Sequence, residues 1–485
     1  MAGTFRILIA TDNHLGFLEK EETRRDDSFL AVQEVFEKSY QNNADFLLLG
    51  GDLFHENTPS KYTLNRTFEI FNKNVLGHRD HQFKTLSTEW NLNYLNPSLQ
   101  ISMPVFIVHG NHDDPSVDTR ISAIDLLQNS NYVNYIYGVH KEDVIEVSPV
   151  ELSKGETLVA IYGLGYVKDE TLNWMFKENK VNFKEPSMGS QNYFNILVVH
   201  QNRFKGSGEG APARNCVMDW TFPNFIDLVV WGHEHESIPN VRKTEGKDYL
   251  ILQPGSTVAT ALTSAEAKPK NAFLLEVRGL GFRLNPLPLL KTRALVFDSL
   301  DLGNLPQLEA QETVLQTLQN MLRYASQDLL NPPLLRLKVR SQTPIDTRSL
   351  SHQVSCQTAN SNIVTVSIVK STQSSIAQTN THVDDILSYL QKELSKSSSE
   401  FQLFSPKQFV EHSESAALKN DTRALETLFE GKVNMACNAI MKRLPPNFNE
   451  QSIVSQIDDL NIANEPPSFK RPNLSADKSS KKPKK

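Results

Sequence analysis

The sequence predicts an α/β fold with a layered core, followed by a smaller α/β domain and a helical segment. Three observations predict it. Short apolar runs rich in β-branched and aromatic residues recur through residues 1–295. Segments with helical apolar spacing separate them. The same alternation resumes on a smaller scale after residue 296. Strands alternating with helices build layered α/β domains, because each sheet face needs an apolar cover.

Five runs carry the first domain: 5–10, 46–49, 105–108, 196–199 and 228–231. Each is short, nearly continuous in apolar residues and bounded by Gly, Asn, Asp or His, as a strand buried on both faces is. A further strand is expected at 157–162. Residues 29–39 and 62–76 place apolar side chains at i, i+3 and i+4 and read as helices. In 296–400 the pattern predicts a helix over 313–325, strands over 335–339 and 363–369, and a helix over 383–394. Ser-rich 395–400 reads as a linker. Residues 405–444 read as a helical hairpin, opened by Ser405 as N-cap with Pro406 at the first helical position. Its apolar stripe (Phe409, Val410, Leu425, Leu428, Phe429, Val433) fits either packing on its own domain or a partner protein. Residues 445–485 are polar and Pro-rich, as a disordered tail is. A net charge of +6 over residues 470–485 fits a solvated tail and a nuclear-localisation or nucleic-acid patch equally well.

Composition bounds the function. The chain has 485 residues, a net charge of −6 and a pI near 6.1, which gives no overall bias toward nucleic acid. Cys216, Cys356 and Cys437 are too few and too scattered for a disulfide framework or a Cys-based zinc site. No apolar run approaches the ~18 residues of a membrane span, and the first residues lack the basic-then-apolar pattern of a signal peptide. The expectation is a soluble intracellular protein.

The chemistry lies at the strand ends. The five runs lead into Asp12-Asn13-His14, Gly51-Asp52, Gly110-Asn111-His112, His200 and His233-Glu234-His235. One such ending is an ordinary turn or a satisfied histidine. Five in one chain, beyond the carboxyl ends of strands where α/β sheets bind ligands, point to one shared site. Carboxylate, imidazole and amide without thiolate suit Mn²⁺, Fe²⁺ or Zn²⁺. Asp12, His14, Asp52, Asn111, His200, His233 and His235 exceed one tetrahedral set but match two sites sharing a carboxylate. Two ions about 3.5–4 Å apart suit hydrolysis of a phosphate ester. His112, beside a candidate ligand, is placed to protonate a leaving oxygen or stabilise the transition state.

The order D-x-H, G-D, G-N-H-D, H, G-H-x-H resembles the calcineurin-like metallophosphoesterases. That resemblance implies a four-layer α/β/β/α metallophosphoesterase sandwich. It also implies Asp52 as the bridge, one metal on Asp12, His14, Asp52 and His235, and the other on Asp52, Asn111, His200 and His233. The strings ATDNHLG, GGDLFHENTPSK, VHGNHDDP, VVHQNR, VVWGHEHE and LQPGSTVATAL are similar to the nuclease subunits of eukaryotic MRN/MRX double-strand-break repair complexes, counterparts of bacterial SbcD. Phosphatases of the superfamily place an Arg four residues after the bridging Asp. Here Glu56 stands at that position, after His55, and the resemblance gives His55 the orientation of a DNA phosphate.

The nuclease resemblance implies a nuclear Mn²⁺-dependent single-strand endonuclease and 3′→5′ exonuclease with two ions per subunit. It makes 296–400 a DNA-capping domain and 405–444 the binding hairpin for an ABC-type, SMC-like coiled-coil ATPase. Helices at 62–76 and 121–127 would form a homodimer's four-helix bundle. The insert 81–103 would be a latching loop contacting an Nbs/Xrs-type adaptor. From its residues alone that insert is a polar loop with Trp90, Tyr94 and Leu95 available as anchors. Many members of the family continue into Gly-Arg-rich tails, whereas this chain ends at Lys485 without such a run. A phosphomonoesterase and a non-catalytic scaffold are the competing readings. Glu56 counts against the first and the complete ligand set against the second.

Overall fold

The computed structural model describes residues 3–115, 121–141, 143–204, 215–244, 246–325 and 331–368. The expected helix at 383–394, the linker at 395–400, the hairpin at 405–444 and the tail at 445–485 lie outside the described residues.

Two sheets form the core. One runs in the order Gly281–Pro288, Asn271–Arg278, Phe5–Ala10, Phe46–Leu49, Val105–Ile107, Asn134–Tyr135. The other runs Ile238–Lys243, Leu250–Gln253, Leu228–Gly232, Phe194–His200, Thr157–Leu164, Val150–Lys154, Lys84–Thr85. The five strands that end in candidate ligands are divided between them, three in the first sheet and two in the second. Within each sheet these strands are parallel neighbours, so their carboxyl ends emerge at one edge.

Alternation along each strand explains the layers, because successive side chains point to opposite faces. Phe5, Ile7, Ile9, Phe46 and Leu48 from the first sheet meet Ile161, Ile196, Val198, Leu228 and Val230 from the second in a core between the sheets. Leu8, Ala10, Leu47 and Leu49 face the other way, onto Phe29, Val32 and Phe36 of helix Asp27–Gln41 and Phe71 and Val75 of helix Lys61–Val75. On the far side of the second sheet, Tyr162, Leu197, Val199 and Trp231 pack on Leu172 and Met175 of helix Asp169–Lys177. The result is an α/β/β/α sandwich. Among the described residues no helix is long and apolar enough to cross a membrane.

The smaller region holds three parallel strands, Leu295–Gly303, Leu334–Ser341 and Val364–Ile368, under helices Gln307–Tyr324 and Thr347–Val354. The strand at Leu295–Gly303 and the helix at Thr347–Val354 were absent from the sequence expectation. The strand is interrupted by Asp298, Ser299 and Asp301, which hide its period. The helix is short and opens on the Asp346 cap.

The insert 81–103 corrects its own reading as a polar loop with free anchors. Phe83 and Leu92 are buried, and Trp90 and Tyr94 pack against the inter-sheet core. Trp90 donates its indole N–H to the Pro149 carbonyl at 3.0 Å. Leu95 alone of the three anchors is well exposed, at 50%.

A candidate two-metal centre

The loops after the first two strands are laced together. Asp12 N–H donates to Gly51 O and His14 N–H to Asp52 O, each at 3.0 Å. Asp113 fixes the second loop by accepting from the amides of Leu53 (2.8 Å) and Phe54 (2.9 Å). The turns are sharp enough that Asp12, His14, Asp52 and His233 all take positive φ, between 48° and 78°. Such backbone is costly for residues with a Cβ and persists where surrounding contacts over-determine it. Glycine is needed beside them. A Cβ on Gly110 would meet Asp52 Oδ1 at 2.0 Å, and one on Gly51, itself at φ +98°, would meet His200 Nδ1 at 2.4 Å.

The structure brings all seven candidate ligands together. Asp12, His14 and His235 form one group and Asp52, His200 and His233 another, each with ligand atoms within 4.8 Å of one another. His14 Nε2 is 3.1 Å from His235 Nε2, and Asp12 Oδ1 is 3.6 Å from His235 Nε2. Asn111 Oδ1 lies 2.8 Å from His233 Nδ1 and 3.3 Å from His200 Nε2. Asp52 Oδ2 reaches both groups, 3.9 Å from His14 Nε2 and 3.3 Å from His200 Nε2. Metal–nitrogen bonds of about 2.0–2.1 Å hold neighbouring ligand atoms ~3–3.4 Å apart, which is the spacing of the closest pairs.

The donor chemistry fits a cation. His200 Nδ1–H donates to Gly50 O at 2.8 Å, so its Nε2 faces Asp52, Asp12 and Asn111, all acceptors. Burial alone would lower the His200 pKa, but Asp52 and Asp12 push it up to about 9. Without a metal, a proton neutralises these converging acceptors. Asp52 is held below the usual carboxylate range: burial opposes ionisation, and His200 and His14 overcome it. Burial raises Asp12, against the pull of His200 and His235. Burial lowers His14, and burial with the nearby His200 brings His233 down to about 3, leaving both rings neutral with lone pairs to offer.

His55 and His112 sit beside this cluster. Their rings stack at 5.2 Å, and His14, His55 and His112 have ring nitrogens within 4.8 Å of one another. His112 N–H donates to Asp52 Oδ1 at 2.9 Å, and its Nδ1–H donates to His55 O at 2.5 Å, leaving Nε2 uncommitted to that bond. Burial and the neighbouring His112 lower His55.

Sequence reasoning missed the groups behind the rings. Asn202 Oδ1 accepts from His233 Nε2–H at 2.9 Å and Asn202 donates to Asp169 at 2.7 Å. Glu266 Oε1 accepts from His235 Nδ1–H at 2.9 Å. Asn202 was within reach of sequence reading, two residues after His200. Glu266 follows a loop and carries only an i, i+4 spacing to Lys270.

Residues 5–237 match the model of the calcineurin-like phosphoesterases. The chain around these residues is similar to double-strand break repair protein MRE11 of Oryza sativa, 39% identical over 70% of this chain and 51% of the relative. The human MRE11 is 38% identical over 69% of this chain and 50% of its own length. The repair protein mus-23 of Neurospora crassa is 38% identical over 61% and 40%. The chain thus spans about half the length of the first two of these relatives.

Proposed function

We propose that the phosphoesterase domain is a Mn²⁺-dependent DNA nuclease, acting as single-strand endonuclease and 3′→5′ exonuclease in double-strand-break repair. The observation that carries this is the convergence of seven acceptor-type side chains in two groups joined by Asp52. Asp12, His14, Asp52 and His235 would hold one ion, and Asp52, Asn111, His200 and His233 the other. Two divalent ions there supply Lewis acidity, which lowers the pKa of a water and neutralises charge on the phosphoryl oxygens. The repair role rests on similarity to MRE11 proteins.

The chain's own residues do the rest. His14 Nδ1 lies 3.4 Å from His55 Nδ1, and with its Nε2 facing the ligand cluster His14 would donate from Nδ1 to His55. The His55 proton then resides on Nε2, where it donates to a non-bridging oxygen of the phosphodiester. His112, anchored through Nδ1 and its amide, delivers a proton from Nε2 to the leaving oxygen. Exposed Glu56 favours a diester: it stands beside His55, at the position where phosphatases of the superfamily carry the Arg that grips a phosphomonoester dianion.

The proposal extends to the partners that the sequence resemblance implies. The region after residue 296 caps DNA, and residues 405–444 bind an ABC-type ATPase coiled coil. Exposed Tyr62, Ile121 and Leu126 supply a homodimer face. Residues 81–103 meet an Nbs/Xrs-type adaptor through exposed Leu95, and the protein acts in the nucleus. The test is cleavage of 3′-overhang, blunt and hairpin DNA in Mn²⁺ against Mg²⁺, alongside bis-p-nitrophenyl and p-nitrophenyl phosphate. Mn²⁺-dependent DNA cleavage lost in Asn111→Ala and His112→Leu, with the diester preferred, is expected. Full cleavage by either variant would sink the proposal.

A further inference from the structure

The histidines of the site lean on outer partners of different kinds. His200 donates to a backbone carbonyl and His233 to the neutral amide oxygen of Asn202. His235 alone donates to a carboxylate. Its ring is also more open than two of the others, with the side chain 26% exposed against 1% for His14 and 0% for His200, so packing constrains it less than those two.

The carboxylate is built in. Glu266 is 3% exposed. Its Oε1 accepts from His235 Nδ1 at 2.9 Å, Thr260 Oγ1 at 3.1 Å and Thr260 N at 3.2 Å. Its Oε2 accepts from Ser256 Oγ at 3.0 Å and from Lys270 Nζ. Lys270 is itself buried and donates to Ser256 Oγ at 2.8 Å. An acceptor whose lone pairs are all engaged by donors cannot offer His235 a proton. It therefore fixes the hydrogen on Nδ1 and turns the Nε2 lone pair toward Asp12 and His14. A buried charge is tolerated only when paired and hydrogen-bonded, and Lys270 supplies that pairing. The cluster costs stability to assemble, and an apolar filling would pack as well, so a role toward His235 explains why it is there.

We propose that Glu266, braced by Lys270 and Ser256, is a positioning residue that fixes the tautomer and orientation of His235 and so tightens one of the two ion sites over the other. This rests on the two-metal reading above. Partners of this kind orient ligand histidines and raise their basicity, and their loss typically weakens metal binding about 10–100-fold. The other site, whose histidines rest on neutral acceptors, is left unchanged.

The experiment uses the full chain, stripped with chelator and titrated with Mn²⁺ by calorimetry, with histidine ring tautomers read by ¹⁵N NMR in the metal-free state. Glu266→Ala and the isosteric Glu266→Gln are compared with wild type, and Glu266→Asp serves as the charge-conserving rescue. One binding event weakened about 10–100-fold, the other within about threefold, and loss of the single Nδ1–H signature of His235 are expected. Partial recovery in Glu266→Asp is expected too. Two unchanged events, two events lost together, or unfolding of both neutral variants would make Glu266 a mere core group and overturn the proposal. DNA cleavage separates the two ideas. Wild type that binds two Mn²⁺ but cuts no DNA defeats the nuclease reading alone. Wild type that cuts while Glu266→Gln keeps full Mn²⁺ affinity defeats this one alone.

Discussion

Replacing Gly51 with alanine is a small change with a large structural consequence. The residue sits at φ +98°, where a Cβ is strained at a cost of about 1–3 kcal/mol. The new methyl would lie 2.4 Å from His200 Nδ1 and 3.0 Å from Gly110 N. His200 is fully buried, so it cannot swing into solvent. It must instead leave Gly50 O, its partner at 2.8 Å, and an unsatisfied buried donor costs about 1–3 kcal/mol. Together these give a loss of about 2–6 kcal/mol, a large part of the ~5–15 kcal/mol that holds a domain folded. Gly279 is the control. Its φ of +57° is also positive, but a Cβ there meets nothing within 4 Å, so alanine costs only the backbone strain of about 1–2 kcal/mol. Urea unfolding of the metal-free chain measures both. Gly51→Ala should lose about 1–3 kcal/mol more than Gly279→Ala and bind Mn²⁺ more weakly at one site. Equal midpoints for the two variants, or unaltered Mn²⁺ binding in Gly51→Ala, would refute the idea that the glycine exists to admit the His200 ring.

Other changes separate the parts of the site and the fold. His200→Ala should leave one Mn²⁺ bound per chain instead of two, read by calorimetry, because it removes a ligand from the group that lacks Asp12 and His14. His112→Leu should keep both ions yet lose cleavage, since it removes a side chain bonded to His55 O and no candidate ligand atom. Arg293→Ala should cost about 1–3 kcal/mol in urea unfolding. It leaves Asp27 with Arg24 alone, 3.7 Å away, in place of the Arg293 contacts at 2.9 and 2.8 Å, and breaks the bond to Pro332 O at 3.0 Å that ties the smaller region to the sandwich. Tyr62→Glu with Leu126→Glu should convert a dimer to a monomer in light scattering, because both side chains are exposed apolar groups on neighbouring helices. Retained dimerisation would exclude that face.

The strands were legible because burial on both faces writes itself as nearly continuous apolar text. The run 5–10 is the strand Phe5–Ala10, broken only by Arg6, and 46–49 is Phe46–Leu49. Boundaries drifted where polar residues take part. The strand read as 196–199 begins at Phe194 because Asn195 is buried and satisfied by the Tyr193 and Ser190 carbonyls and Asp227. The insert was misread for a related reason. Its sequence is polar on average, but Phe83, Leu92 and the faces of Trp90 and Tyr94 are spent on the inter-sheet core. Average polarity does not report which few side chains pack.

The candidate ligands were legible and their supports were not, and the difference is geometric. A side chain that must meet others from distant strands has to leave its strand at the same edge, so it recurs at a fixed place in the local text, directly after an apolar run. A supporting group has no such address. Glu266 reaches His235 from a loop 31 residues on, and Asp169 reaches His233 through Asn202 from the first turn of a helix. Neither stands at a fixed offset from an apolar run. The same geometry explains the strain. Bringing Asp12, His14, Asp52 and His233 to one centre from two facing sheets requires the chain to turn within one or two residues of each strand end. The left-handed backbone at those four residues is the cost of that convergence. A variant that relaxed it, such as Asp12→Gly, removes the side chain along with the strain. Within this architecture the site cannot be unstrained and remain a site.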